Sequence, residues 1–225
     1  MKIIFLGDSL TWGRYGGNFL AEVAKHLPQH EIVNAGESGS TVLNLVQRLD
    51  DVLEQSPDGM FVMVGGNDAI SYSQPATRRY YEQVQKVPGG AVTPEMYIQA
   101  YRDLLTTLQA NQVLTWVGLA TLEHNPAVVE TLTQYNQLAR EAAEALNLPV
   151  LDLTAHLPPP QPVPERPPLD QAVINLIGKR VREGWTEYEA EQARDGYTFT
   201  FDGLHLTPEA AVKVGEIVAD FLSQD

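Results

Sequence analysis

Ser9, Asp202 and His205 are the residues whose types and settings could do chemistry together. Ser9 lies in Gly7-Asp8-Ser9-Leu10, directly after the apolar run Ile3-Ile4-Phe5-Leu6. A run of this kind ending in Gly-Asp-Ser reads as a buried strand that stops at a turn. The turn offers a hydroxyl at the carboxyl end of a strand, where open α/β sheets bind their ligands. Asp202-Gly203-Leu204-His205 stands near the other end of the chain. Serine, aspartate and histidine are the parts of an activated nucleophile. Taken singly, the same residues read more simply as a turn serine and a helix-capping aspartate.

Two further segments could complete such a site. Asn34-Ala35-Gly36-Glu37-Ser38-Gly39-Ser40-Thr41 follows the candidate strand Glu31-Ile32-Val33 and precedes the helical pattern opening at Val42. A glycine-containing loop between strand and helix can aim backbone N–H groups at an anion or a developing oxyanion. It lacks the lysine of a phosphate-binding P-loop and the dinucleotide spacing. Gly65-Gly66-Asn67-Asp68 directly follows Met60-Phe61-Val62-Met63-Val64. Asn67 offers a side-chain amide at the carboxyl end of a third strand, and such amides serve as oxyanion donors. Alone, each segment is more simply a turn, with Asn67 tolerating a left-handed backbone.

In chain order, the four segments resemble the four sequence blocks of the SGNH hydrolases, also called GDSL esterases/lipases. The resemblance runs from residue 3 to about residue 210. It implies Ser9 as the nucleophile, His205 as the general base and Asp202 as the residue that orients it. It implies an oxyanion hole from the N–H groups of Ser9 and Gly39 and the side chain of Asn67. Gly39 is matched rather than Gly36 because it stands two residues before Thr41. The implied activity is cleavage of carboxylic esters through an acyl-enzyme, without a cofactor. The implied partner is a small ester with a short to medium acyl chain, or an acetylated sugar. A carbohydrate O-acetyl hydrolase or acetyltransferase would use the same constellation, and thioesterase or lysophospholipase activity is compatible with it. A catalytically silent binding or scaffold domain is the alternative of another class. The presence of all the reactive positions counts against it.

These residues need a frame. Val113-Leu114-Thr115-Trp116-Val117-Gly118 reads as a fourth strand and Pro149-Val150-Leu151-Asp152-Leu153 as a fifth. Between the strands lie helical patterns at 17–24, from Thr93 to about Gln109, and at 127–146. Thr93-Pro94-Glu95 and Thr207-Pro208-Glu209 read as N-cap, first-turn proline and acid. His205 is therefore expected on a loop just before the last helix. Strands alternating with helices imply an α/β fold with a parallel sheet and helices on both faces. The resemblance adds a three-layer, flavodoxin-like strand order. One domain is expected over 1–225, with insertions at 71–92 and 155–200 on the side of the site. The second contains a proline-rich stretch at 158–168, read as a linker, and then a helical stretch at 169–194. Trp12, Tyr72 and His124 are candidate substrate contacts by their closeness to the blocks. His26 and His30 read as surface residues and His156 as structural. Asp152, at a strand end, is the rival of Asp202 as histidine partner.

Composition narrows the partners. The chain has 225 residues, no cysteine and a formal net charge of −14. Lack of cysteine excludes a disulfide framework, thiolate chemistry and a cysteine zinc site. The histidines are scattered without paired-ligand spacing, so no metal site is expected. Strong acidity argues against nucleic acid and anionic lipid as partners. No apolar run is long enough to span a membrane. The expected location is cytoplasmic, with a removed signal peptide as the alternative.

Overall fold

The computed structural model describes residues 1–224. Five strands form one parallel sheet in the order β2-β1-β3-β4-β5. They are β1 (Lys2–Gly7), β2 (Glu31–Gly36), β3 (Gly59–Met63), β4 (Leu114–Leu119) and β5 (Val150–Asp152). Side chains alternate across the sheet with the period of two that pleating imposes. Ile3, Phe5, Phe61 and Trp116 face one core. It is closed by α2 (Phe19–His26) and α11 (Pro208–Leu222), which supply Phe19, Val23, Val214 and Val218. Ile4, Leu6, Met60, Val62 and Val117 face the other core. That side is covered by α3 (Val42–Gln47), α4 (Leu49–Leu53), α5 (Gly66–Ser73), α7 (Pro94–Ala110) and α8 (Pro126–Glu144). Both faces being covered explains why the inner strands β1, β3 and β4 read as near-continuous apolar runs.

Helix starts follow the expected chemistry. Thr93, Asn125 and Thr207 each accept a hydrogen bond from the third residue onward, and a proline follows each. The 71–92 segment folds as the end of α5, two short 3₁₀ turns and α6 (Arg78–Gln83). The helical stretch at 169–194 is not continuous. It forms α9 (Gln171–Glu183) and α10 (Tyr188–Asp195), parted at Gly184, whose left-handed φ of 65° ends α9. The 158–168 stretch has no regular structure, yet it is tied down. The Arg166 guanidinium lies 3.9 Å from the Tyr197 ring centroid and donates to Asp195 O at 2.7 Å.

Register brings the strand ends level. Gly7 pairs with Gly36 on one side and Met63 on the other, and Met63 pairs with Gly118. The chain leaves β1 toward β2 at one edge and resumes at β3 on the far side of β1. This reversal of strand order opens a crevice at the carboxyl ends of β1 and β3. The turns bearing Ser9 and Asn67 lie there.

Candidate active site

Ser9 is the first residue of α1 (Ser9–Trp12), a single turn capped by Asp8. The Asp8 carboxylate accepts from Leu10 N at 3.0 Å. First-turn N–H groups have no partner within their helix, which leaves the Ser9 amide free of one in α1. Ser9 Oγ lies 3.0 Å from His205 Nε2. His205 Nδ1 lies 2.8 Å from Asp202 Oδ2, while Asp202 Oδ1 accepts from the amides of His205 (2.7 Å) and Leu204 (3.0 Å). Burial works to raise the Asp202 pKa. The facing His205 charge and these hydrogen bonds outweigh it and hold the carboxyl below its usual range. With Nδ1–H donated to Asp202, Nε2 is free to accept the Ser9 hydroxyl proton. The Tyr15 ring stands edge-on to the imidazole at 4.9 Å and packs it from the side.

The Asp202–His205 loop is built by a remote carboxylate. Buried Glu123 accepts from the amides of Thr198, Phe199 and Thr200 and from the hydroxyls of Thr198 and Thr200, at 2.6–3.0 Å. Phe201 N then donates to His205 O, and Glu123 N donates to Gly203 O. Gly203 sits at φ 86°, and a Cβ there would come within 2.7 Å of the His124 backbone. Sequence reasoning named this stretch for His124, but Glu123 is the residue on which the loop hangs.

Asn67 lies one residue into α5. Its Nδ2 lies 3.4 Å from Asp8 Oδ2, and its Oδ1 accepts from Tyr81 OH at 2.8 Å. The two contacts turn the amide so that its NH₂ edge faces the crevice. Gly39 has φ 79°, and a Cβ would meet Gln85 Nε2 at 2.4 Å and Tyr80 OH at 2.5 Å. Only glycine fits there, and its amide can point inward between Ser9 and Asn67. Asp68 Oδ1 caps α3 through Val42 N at 3.0 Å. Arg48 donates to Ala35 O and Gly7 O, pinning the ends of β2 and β1. Asp8, Asp68, Arg48, Tyr81 and Glu123 were not singled out from sequence. Asp8 and Asp68 flank two of the blocks, so their closeness was the available signal.

Ser9, Gly39, Asn67 and His205 all line one cavity of about 480 Å³. Trp12 lines it as expected. Tyr72 does not. It is 40 % exposed and packs near Tyr135. Five residues past Asn67, it is turned about 140° around the helix. Ile70, only about 60° off, lines the cavity instead. His124 is also outside the lining. Its Nε2 lies 3.2 Å from Pro167 O and its Nδ1 3.2 Å from Tyr197 OH. Burial pulls its pKa down, so it supports the loop as a neutral ring. Asp152 bonds Arg140 Nη2 at 2.6 Å and caps Thr154, away from any histidine partner. Among the described residues, Glu22, His26 and Glu216 form the one group able to hold a metal ion. It joins α2 to α11 outside the cavity lining, a convergence that the scattered histidines did not announce.

Ser9, His205 and Asp202 in hydrogen-bond sequence at an α/β crevice, with Gly39 and Asn67 in the same cavity lining, make an arrangement suited to a serine hydrolase acting on acyl compounds. The chain belongs to the GDSL-like lipase/acylhydrolase family, whose model matches residues 5–211. An acetylxylan esterase of Geobacillus stearothermophilus is 26% identical over 181 residues, spanning 68% of this chain and 76% of that protein. The structure of the acetyl xylan esterase AlAXEase superposes with a TM-score of 0.66 at 18% identity, covering 98% of both chains. A lipase/acylhydrolase from Enterococcus faecalis gives 0.65 at 18% identity, covering 99% of this chain and 95% of that one. The fold is thus that of the SGNH hydrolases, and the protein is a serine ester hydrolase. No helix among the described residues is long and apolar enough to cross a membrane.

Proposed function

We propose that this ester hydrolase uses Ser9 as nucleophile, His205 as general base and Asp202 to hold the imidazole, on esters with a medium-length acyl chain. The unbroken chain of contacts from Ser9 through His205 to Asp202, at 3.0 and 2.8 Å, carries the reading. His205 takes the Ser9 proton as Oγ attacks the ester carbonyl. The Ser9 and Gly39 amides and the Asn67 side chain receive the oxyanion. Collapse expels the alcohol, protonated by His205, and water then cleaves the acyl-enzyme by the same steps in reverse roles. Ionised Asp202 stabilises the transient imidazolium.

Acyl length is argued from the cavity. Beyond the reacting groups its wall includes Leu10, Ile70, Leu122, Leu169, Ile174 and Ile177. An acetyl group would leave most of that apolar surface uncovered, whereas each further buried methylene gains roughly 0.8 kcal/mol. A second reading, hydrolysis of acetylated sugars, is favoured by Trp12 in the lining and by the acetylxylan esterase relative. The test is a panel of p-nitrophenyl esters of rising chain length beside acetylated xylo-oligosaccharides. The proposal expects kcat/KM to climb beyond acetyl, and Ser9→Ala to abolish turnover of every substrate. A preference for acetyl substrates selects the second reading. Turnover surviving Ser9→Ala refutes the site.

A further inference from the structure

The cavity has two unlike ends, and α9 spans both. Leu169, just ahead of α9, donates its N–H to Gln74 Oε1 at 3.0 Å, just beyond α5. That end lies beside the helix carrying Asn67. Near the other end of α9, Arg180 Nη1 reaches Tyr15 OH at 3.5 Å, and Tyr15 packs against His205. From Ile174 to Arg182 the helix rises about 12 Å. Along α9 the lining runs from Leu169, Val173 and Ile174, at the end tied to α5, to Val181 and Arg182, at the end nearer Tyr15; Trp12 and Ile70 line the same cavity. In serine-mediated ester cleavage the leaving group departs past the base that protonates it. On the reading of Ser9 and His205 given above, the histidine end is therefore the leaving-group side.

Arg182 is an exposed residue that nonetheless lines a cavity whose wall is mostly apolar. Its neighbours are satisfied: Arg180 bonds Glu191 at 2.7 Å, and Lys179 faces Glu183 at 3.9 Å. Arg182 itself has neither an ion pair nor a hydrogen bond among the described residues. Helix side chains lean toward the N-terminus, and Arg182 Nη1 lies 3.5 Å from where a Cβ on Gly178 would stand. Gly178 also lines the cavity. An interior glycine weakens a helix relative to alanine. Here it leaves the guanidinium room to lie along the wall. Arg14, likewise without a carboxylate partner, sits 5.4 Å from the ring centroid of Trp12. Arg14 is exposed and outside the lining, so among the described residues Arg182 is the one arginine in the wall of this cavity, in a chain of net charge −14.

We propose that this end recognises a leaving group carrying a single anionic function, a phosphate or carboxylate, with Arg182 as its selecting residue and Trp12 packing on its apolar part. The guanidinium fork matches either anion in a bidentate way. The chemistry is unchanged: the Ser9–acyl bond forms as the acyl–oxygen bond breaks, and the anion leaves on the protonated alcohol.

Matched esters of one acyl chain test this. One pair is the octanoyl ester of 4-hydroxybenzoate and that of the neutral 4-hydroxybenzamide. The other is monooctanoylglycerol and its glycerol phosphate counterpart. The expected result is that Arg182→Gln lowers the anionic-to-neutral ratio of kcat/KM by about 10-fold or more in at least one pair. The neutral rates should hold, Arg182→Lys should recover part of the ratio, and added salt should shrink it in wild type. The pair that responds tells carboxylate from phosphate. If neither ratio moves, or anionic and neutral rates fall together, the proposal is wrong while the site reading stands. If wild type turns over none of the four esters, both fail.

Discussion

Asn67 spends three of its amide positions on fixed or expected partners. Oδ1 takes the Tyr81 hydroxyl, one N–H faces Asp8, and the other remains for the oxyanion. Asn67→Ala removes that donor from a site where reorganisation is small, so kcat should fall about 10²–10³-fold, while the buried Tyr81 hydroxyl, left without its acceptor, should lower the thermal midpoint modestly without unfolding the protein. A near-wild-type kcat in steady-state assays would return Asn67 to the rank of a turn residue. Its neighbour Asp68 makes a different prediction. Burial raises its carboxyl to about 8, with the Asp8 charge adding to the rise and the Val42 amide opposing it. Its Oδ2 is buried without a partner. Between the ordinary carboxyl pKa near 4 and about 8, the folded chain holds a proton that the unfolded chain releases. Stability from this group therefore declines as pH rises through that window, by at most about 1.4 kcal/mol per pH unit. Asp68→Asn keeps an oxygen for Val42 and has no such proton. The variant should gain on wild type from pH 4 to 8 in urea titrations. A stability difference that is flat with pH would contradict the assignment.

Loop 198–206 is the element on which the geometry of the base depends, and Glu123 organises it from 75 residues away. Glu123→Ala leaves three amides and two hydroxyls of that loop without their acceptor. With about 1–3 kcal/mol for each buried group left unpaired, the loss should exceed about 3 kcal/mol in chemical denaturation. Activity should fall with it, because Asp202 and His205 ride on the loop. Glu123→Gln retains one acceptor oxygen and should lose less. A Glu123→Ala protein with a wild-type midpoint and rate would show that the loop stands without it. The same residue marks where sequence reading stopped. Each strand of the central sheet was legible because its apolar run ends at a polar or glycine turn, as Gly7-Asp8-Ser9 and Gly65-Gly66-Asn67 do. Caps such as Thr93-Pro94 and Thr207-Pro208 are local and were read correctly. Glu123 satisfies donors distant in sequence, and nothing beside it announces that. The α9–α10 break was missed because Gly184 sits within a pattern that stays polar and helical on both sides. Tyr72 was misjudged by nearness in sequence, where the angle around α5 decides.

At the scale of the whole molecule, a buried sheet holds one side of the site and an isolated helix holds the other. Side chains of β1 and β3 are almost fully buried, whereas no residue of α9 is. Leu176 is 44 % exposed, and even Val173, in the cavity wall, is 39 % exposed. The segments around it, 158–168 before and Gly184 after, have little regular structure to brace it. Local stability follows buried apolar contact, so α9 belongs at the low end of the opening free energies and β1 near the global value. Hydrogen exchange should show α9 amides exchanging well ahead of those of β1, β3 and β4. An occupant of the cavity supplies the missing contacts from beneath. Labelling Ser9 with an octyl fluorophosphonate should therefore slow α9 exchange markedly. A methyl fluorophosphonate seals the same oxygen but leaves the apolar wall bare, and should slow it little. If α9 is as protected as β1 in the free protein, the helix is a fixed wall. If the two labels act alike, the octyl chain does not lie under α9, and the acyl pocket must be sought elsewhere along the crevice.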